Sequence, residues 1–536
     1  MFIDAKEIPN DDTREYDICI VGGGPAGISL AMEFIGKSLR VCILESGGPT
    51  INEDEKTDSL RDGENVGLPY FPTRELTDRG LGGNSERWAS SICPLEPWDF
   101  QKRDWVPYSG WPFGFDELLP YYRKANHLCG SGEYDYEPES EVSKAKGNPD
   151  FQLLPLDSGR LKTRIWQYHL PALHWGKAYG DKLKSATNID TYLYANVVQL
   201  EPNQDLKQVT KLKVATISGS QFWVTARAYV LAAGGVEIPR LLLASNQVQQ
   251  AGLGNEHDLV GRFFMEHPHF NRSATYIVTD TSKNYPGLYS WNSAWVYGVR
   301  AGICPSEKLQ EEEQLLNYTV RLQGSPFPFP HRQLEPSLDN TVKDIQDWVG
   351  DKVLNNRVSR KILKTLKMRP HYPRVLDFLV MTEQAPNPDS RVTLSREQDM
   401  LGLNRVCLDW QLTELDRRTA IRMPEIIQEE IRKANLGEVQ IHYTEEFEGW
   451  PEYDVSTGVT QPMLVGGWHF MGTTRMHDDP KQGVVDANCR VHGLANLYIA
   501  GSSVFPTVGY ANPTPTIIAL ALRLAEHLDR QLAEAA

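Results

Sequence analysis

Cysteine is scarce in this sequence. There are seven in 536 residues, an odd number at irregular spacing and without a C-x-x-C pair, which excludes a disulfide framework and a zinc ribbon. Cys19 and Cys42 fall inside apolar runs and read as buried strand residues. Positive charge is short as well: 55 Lys and Arg stand against 70 Asp and Glu, a formal charge of -15, so the chain lacks the cationic surface that neutralises phosphates. Neither a nucleic acid nor an anionic membrane is expected as a partner. Long apolar runs are missing too. The run Ile517 to Leu522 falls far short of the ~20 residues that cross a bilayer. The opening MFIDAKEIPNDD carries neither the basic nor the apolar part of a secretory signal, and a cytoplasmic place is expected. Metal-ligand spacing is absent: Glu266-His267-Pro268-His269 offers two imidazoles and one carboxylate with no distant partner. These are expected to be structural or to support another residue, and no metal is expected.

What the sequence has is length and glycine. At 536 residues it is too long for one ordinary core, so at least two units are expected, built from segments that interleave along the chain. Tyr16 to Val21 reads as a short buried strand that runs into Gly22-Gly23-Gly24-Pro25-Ala26-Gly27, a G-x-G-x-x-G turn; a helix over Ala26 to Ile35 follows, then a strand over Leu39 to Leu44 ending in Glu45. In that order each part has a task. Gly22 permits the tight turn, Gly24 lets the backbone approach a pyrophosphate, and Gly27 lets helix and strand pack closely. The helix N-terminus faces the phosphates, and Glu45 is placed to accept hydrogen bonds from an adenosine ribose. The pattern implies a dinucleotide, FAD or NAD; Pro25, the run Glu45-Ser46-Gly47-Gly48 and the C-terminal segment favour FAD.

Further segments are expected around the same ligand. Arg79 to Ala89 (RGLGGNSERWA) holds Gly82 and Gly83, whose backbone can lie flat against a planar ring, with Asn84 and Ser85 as hydrogen-bond donors and Trp88 beside them. Ile189 to Val198, including Val197, and Ala228 to Leu231 read as strands, the second running into Ala233 and Gly234 and then a helix over Ile238 to Ala244. Asn496 to Ala500 is another short strand, followed by Gly501 and Ser502, then Asn512, Pro513 and Thr514 before a helix from Thr516 to about Leu532. Thr514 suits its N-cap and Pro515 its first position. That helix start is placed to stabilise negative charge on a flavin that has received hydride.

Three segments together resemble the glucose-methanol-choline (GMC) oxidoreductases: VGGGPAGISLAMEF, the loop LGGNSERW, and the C-terminal stretch from GGWHFMGTTRM to ANPTPT. Within that family the runs H-x-x-G-T-x-R-M and A-N-P-T are most similar to the pyranose and glycoside branch. The resemblance implies an α/β fold, a Rossmann-like FAD-binding domain with an interleaved α+β substrate domain. Its pieces would be 1–95, 185–270 and 466–536 for FAD, and 96–184 and 271–465 for substrate. It also implies that His469 and Asn512 are the catalytic pair, oxidising a secondary alcohol of a sugar or glycoside to a ketone. Oxygen or another acceptor would then take the electrons. A neutral imidazole is the side chain suited to take a hydroxyl proton as hydride leaves the carbon, and Asn512 can hold the same oxygen.

Two departures stand out. Arg87 precedes Trp88 where pyranose oxidases often carry a flavin-bonding histidine, so FAD is expected to be noncovalent. Ala89 stands where they tend to carry a threonine that assists the reaction with oxygen, so a dehydrogenase or slow oxidase is expected. The alternatives are a GMC enzyme for a small or lipid-like alcohol and a flavin-binding homologue without alcohol chemistry. The stretch from about Asn271 to Val465 reads as a sheet with flanking helices, with strands over Ser273 to Val278, Val375 to Thr382 and Asn404 to Leu412 and a helix over Glu414 to Ala434. Pro326 to Pro336 is expected to be a loop or lid, and the basic stretch Arg357 to Arg369 a solvated helix face. Trp98, Trp105, Trp111, Trp166, Trp175 and Trp450 are core residues or platforms for a sugar ring; His477 and His492 have no role legible in the sequence.

Overall fold

In the computed structural model, which describes residues 1–51, 55–145, 151–156, 158–271, 273–279, 287–290, 298–324, 375–442 and 464–534, the first apolar run belongs to the strand Thr13–Val21. Ile18, Cys19 and Ile20 are wholly buried, as expected of a parallel strand covered on both faces. It is central to an eight-stranded sheet. In order across it lie Phe2–Asp4, Ile189–Leu193, Val41–Leu44, Thr13–Val21, Gln221–Leu231, Val209–Ala215 and Asn196–Pro202, and Leu497–Ile499 also pairs with Gln221–Leu231. Pairing is parallel from Phe2–Asp4 to Gln221–Leu231 and with Leu497–Ile499, and antiparallel for the last two strands.

Several boundaries differ from the expectation, each for a local reason. The helix after the glycine turn, Pro25–Met32, stops before Ile35 because its last turn tightens to i→i+3 bonds ahead of Gly36 at φ +77°. The expected strand Ile189 to Val198 is two strands, since Tyr194 at φ +60° turns the chain; one half pairs with Val41–Leu44, the other with Val209–Ala215. The next helix begins at Gly234 rather than Ile238, with Gly234 at φ +81°. The last helix, Thr514–Glu534, accepts its first bond at the Pro513 carbonyl, from Ile517 N–H at 2.9 Å, so Thr514 is the first helical residue and Pro513 takes the cap position.

A second sheet of seven antiparallel strands runs in the order Gly437–Ile441, Ala274–Val278, Val375–Thr382, Tyr318–Gly324, Val299–Pro305, Leu161–Tyr168 and Ser91–Ile92. Successive residues alternate between its faces. Leu376, Phe378, Val380, Tyr318, Val320 and Leu322 turn to one side, where they share a core with Ala420, Met423, Ile427 and Ile431 of the helix Glu414–Lys433. The spacing of those four is that of one helix face. Thr413 and Asp416 cap the helix reciprocally. The opposite face of the sheet carries Tyr168, Arg300, Arg321, Leu379 and Met381 toward the cavity described below.

A small third sheet joins Arg391–Gln398 and Asn404–Asp409 to Gly63–Asn65. We keep the division into 1–95, 185–270 and 466–536 against 96–184 and 271–465 as a proposal; the pairings of Ser91–Ile92 with Leu161–Tyr168 and of Gly63–Asn65 with Asn404–Asp409 cross it. Pro326 to Pro336, Arg357 to Arg369 and Trp450 lie outside the described residues. Among the described residues no helix is long and apolar enough to cross a membrane.

Candidate active site

The carboxyl ends of Thr13–Val21, Val41–Leu44, Gln221–Leu231 and Leu497–Ile499 open on a cavity of ≈ 720 Å³, walled on its far side by the second sheet. In a sheet of this kind ligands sit outside those ends. Gly24, Gly234 and Gly501 line the cavity, and a Cβ on any of them would meet no atom within 4 Å, so all three leave room that a side chain would take. Gly22 and Gly27 serve the protein itself: a Cβ would stand 2.6 Å from the Ala232 carbonyl oxygen and 2.1 Å from the Gly22 carbonyl oxygen respectively. Glu45 reaches the wall from the end of its strand, and its carboxylate accepts from the N–H groups of Gly23 (2.7 Å), Gly47 (2.8 Å) and Gly80 (3.0 Å). Burial raises it while these donors pull it down.

Ala233, Val197, Ser502, Pro513 and Thr514 also line the cavity, as do Gly83, Asn84, Ser85 and Trp88 of the glycine loop. Gly82 does not, and a Cβ there would collide with Glu86 Oε1 at 2.1 Å, so its glycine is demanded by the loop. The two expected donors are otherwise engaged. The Ser85 hydroxyl donates to the Gly82 carbonyl (2.7 Å), while Asn84 donates to the Leu76 carbonyl (2.8 Å) and accepts from Asp78 N–H (2.7 Å), so both side chains brace the loop. Trp88 Nε1 donates to the Leu173 carbonyl.

His469 and Asn512 meet on the cavity wall, with Asn512 Nδ2 3.5 Å from His469 Nε2. What orients them was only partly visible in the sequence. Trp166 Nε1 donates to Asn512 Oδ1 (3.0 Å), which turns the amide nitrogen toward the imidazole. His267 Nδ1 lies 2.8 Å from His469 Nδ1, and His267 Nε2 lies 3.3 Å from the Val508 carbonyl oxygen. A carbonyl only accepts, so His267 Nε2 carries its proton and, in a neutral ring, His267 Nδ1 is the acceptor. His469 then carries hydrogen on Nδ1 and a lone pair on Nε2, facing Asn512 and the cavity.

Below them, the buried Glu266 accepts from the N–H groups of His267 (2.9 Å), Gly467 (3.0 Å) and His469 (3.1 Å) and from the Tyr70 hydroxyl. Burial pushes Glu266 up to about 7 against the pull of those donors. The same burial holds His469 well below the imidazole range, with His267, His269 and Arg321 adding to the effect, and takes His267 down to about 4. His469 is therefore neutral at neutral pH. Trp468, next to it, sits at φ +56°, a conformation costly for a bulky residue; its 47%-exposed ring stacks on Phe71 at 4.0 Å.

The remaining sequence candidates divide between the cavity and the rest of the protein. His269 lines the cavity, but no group of three metal-ligating side chains exists among the described residues. His477 and His492 join each other, His492 Nε2 donating to the His477 carbonyl at 2.8 Å. Trp98 and Trp105 donate to Gln310 and to the Leu315 carbonyl. Trp175, wholly buried, packs in the main core.

A family model described as GMC oxidoreductase matches residues 386–521. The 2-methyl-1,2-propanediol dehydrogenase of Mycolicibacterium austroafricanum is 24% identical over 97% of this chain and 96% of its own length. Paromamine 6'-oxidase of Streptomyces fradiae is 26% identical over 96% of this chain and 92% of its own. The crystal structure of formate oxidase aligns with a TM-score of 0.57 at 17% identity, covering 98% of this chain and 100% of that one. Along nearly all of its length the chain is similar to these proteins, and over residues 386–521 to the GMC oxidoreductase model. The open glycines at 24, 234 and 501, with Glu45 at a strand end, fit a dinucleotide such as FAD. Arg87 is half exposed and pairs with Asp78 at 2.6 Å, and both it and Ala89 line the cavity.

Proposed function

We propose that this protein is a GMC oxidoreductase that oxidises a secondary alcohol of a sugar or glycoside to a ketone, with His469 as base and noncovalently held FAD. The observation that carries the reading is the chain of hydrogen bonds from the Val508 carbonyl through His267 to His469, which leaves the Nε2 lone pair beside Asn512. FAD, when bound, supplies the acceptor for the hydride that leaves the carbon. His469 Nε2 takes the hydroxyl proton, so that a C–OH becomes C=O, and Asn512 Nδ2 donates to the same oxygen. The His469 ring gains charge in that step, and its Nδ1–H bond to His267 holds it in the productive tautomer. The N-terminus of the helix Thr514–Glu534 brings partial positive charge to the cavity where negative charge gathers.

The exposed ring of Trp468, beside the base on the cavity wall, supports a sugar, since an aromatic face packs against the apolar face of a pyranose. Arg87 and Ala89, both on the wall where a bonding histidine and a threonine would otherwise stand, support a noncovalent dehydrogenase or slow oxidase. Anaerobic titration with sugars, glycosides and simple alcohols tests the substrate: sugars should bleach the flavin, and bleaching by simple alcohols alone would replace the sugar reading. Likeness to a diol dehydrogenase favours that second reading, a small alcohol.

A further inference from the structure

Arg321 lies in the strand Tyr318–Gly324, whose neighbours Val320 and Leu322 turn away into the second core, so alternation carries Arg321 to the cavity face. There its guanidinium stands 5.5 Å from the ring of Trp166, the residue that orients Asn512. Its charge is felt at His469, His267 and His269. Arg300, from the adjacent strand and wholly buried, reaches the same cavity and donates to the carbonyls of Tyr289 (3.1 Å) and Leu322 (2.6 Å). The Tyr168 phenol lines the same cavity; against burial, which raises it, the charges of Arg321 and Arg300 hold it below its ordinary range.

Among the described residues no carboxylate pairs with Arg321, whose Nε is buried without a hydrogen-bond partner. A cation so placed is costly unless something anionic meets it. The open glycines that suit the cofactor's phosphates, Gly24 and Gly234, belong to the first sheet's edge of the cavity, whereas Arg321 belongs to the opposite wall beside the base. We propose that the substrate of this site carries a carboxylate as well as the alcohol, and that Arg321 binds that carboxylate while His469 and Asn512 hold the reacting hydroxyl. This rests on the reading that the cavity oxidises alcohols, and narrows its sugar to a sugar acid or a glycoside of one. The carboxylate is a spectator: no bond to it forms or breaks.

The test uses the FAD-loaded enzyme and two readouts. In the first, the flavin spectrum is titrated with acetate and glutarate, which carry no alcohol, in the parent, Arg321→Gln and Arg321→Lys. The second measures anaerobic flavin reduction by gluconate and glucuronate against glucose and glucose 6-phosphate. Saturable perturbation by the carboxylates, weakened about tenfold in Arg321→Gln and partly restored in Arg321→Lys, is the expected result. The acid-to-neutral ratio of reduction efficiency should fall by about the same factor in Arg321→Gln. Carboxylates that leave the spectrum unchanged, or a variant that slows glucose and gluconate alike, would overturn the proposal; so would glucose 6-phosphate outpacing both acids. If carboxylates bind through Arg321 while neither acids nor sugars reduce the flavin, the anion site stands and the oxidation reading falls.

Discussion

At the scale of single residues, the proposed reaction depends on which nitrogen of His469 carries hydrogen, and that is decided two residues away. The Val508 carbonyl fixes His267, and His267 fixes His469. Replacing His267 with Phe keeps an aromatic ring but removes the acceptor, so His469 loses its reason to hold hydrogen on Nδ1. Flavin reduction should slow about tenfold or more while substrate affinity changes little. A rate equal to the parent's in stopped-flow reduction would show that His267 only fills space. His267 and His469 are far apart in sequence and meet only through folding. The sequence could flag each as a histidine worth noting but not the 2.8 Å contact between them. Arg321 was less legible still, for a lone arginine in an alternating strand looks like a solvated one until pairing shows which face is enclosed.

Among elements, the glycine turn was legible because its demands are local: a strand, a turn at Gly22 with φ +112° and a helix close behind. Its glycines nonetheless do different work, and substitution separates them. Gly27→Ala puts a Cβ 2.1 Å from a backbone oxygen and should destabilise the fold by about 1–3 kcal/mol, read as a lower thermal midpoint with or without FAD. Gly24→Ala meets only open cavity, so the apoprotein should melt near the parent while the affinity for FAD falls. Equal loss of apoprotein stability in both would contradict the assignment. The second sheet was legible in part. Val375–Thr382 lies where its apolar run put it, but Leu161–Tyr168 and Val299–Pro305 were not foreseen, because mixed polar and apolar strands at a cavity wall lack a clean period.

For the whole molecule, the cavity joins two sheets, so its buried ionisable groups tie stability to pH. Burial takes His267 down to about 4 and His269 down to about 3, from an ordinary 6.5. The unfolded chain therefore binds protons at these positions first as pH falls through 6.5, and their contribution to stability, full above that pH, is lost on the way down. Glu266 and Asp99, both raised by burial to about 7, act in the opposite sense. A difference measurement isolates the histidines: relative to the parent, His269→Gln should gain thermal stability as pH drops from about 7 to about 5. A pH-independent difference would mean that His269 titrates normally.

In the proposed reaction His469 takes the proton from an alcohol bound in this cavity. The most direct measurement is the anaerobic rate of flavin reduction by the best sugar or sugar acid, in the parent and in His469→Ala with FAD bound to both. Loss of about a hundredfold or more in the variant, with substrate affinity largely kept, is the predicted result. Reduction at the parent's rate would contradict the claim and move the base elsewhere in the cavity.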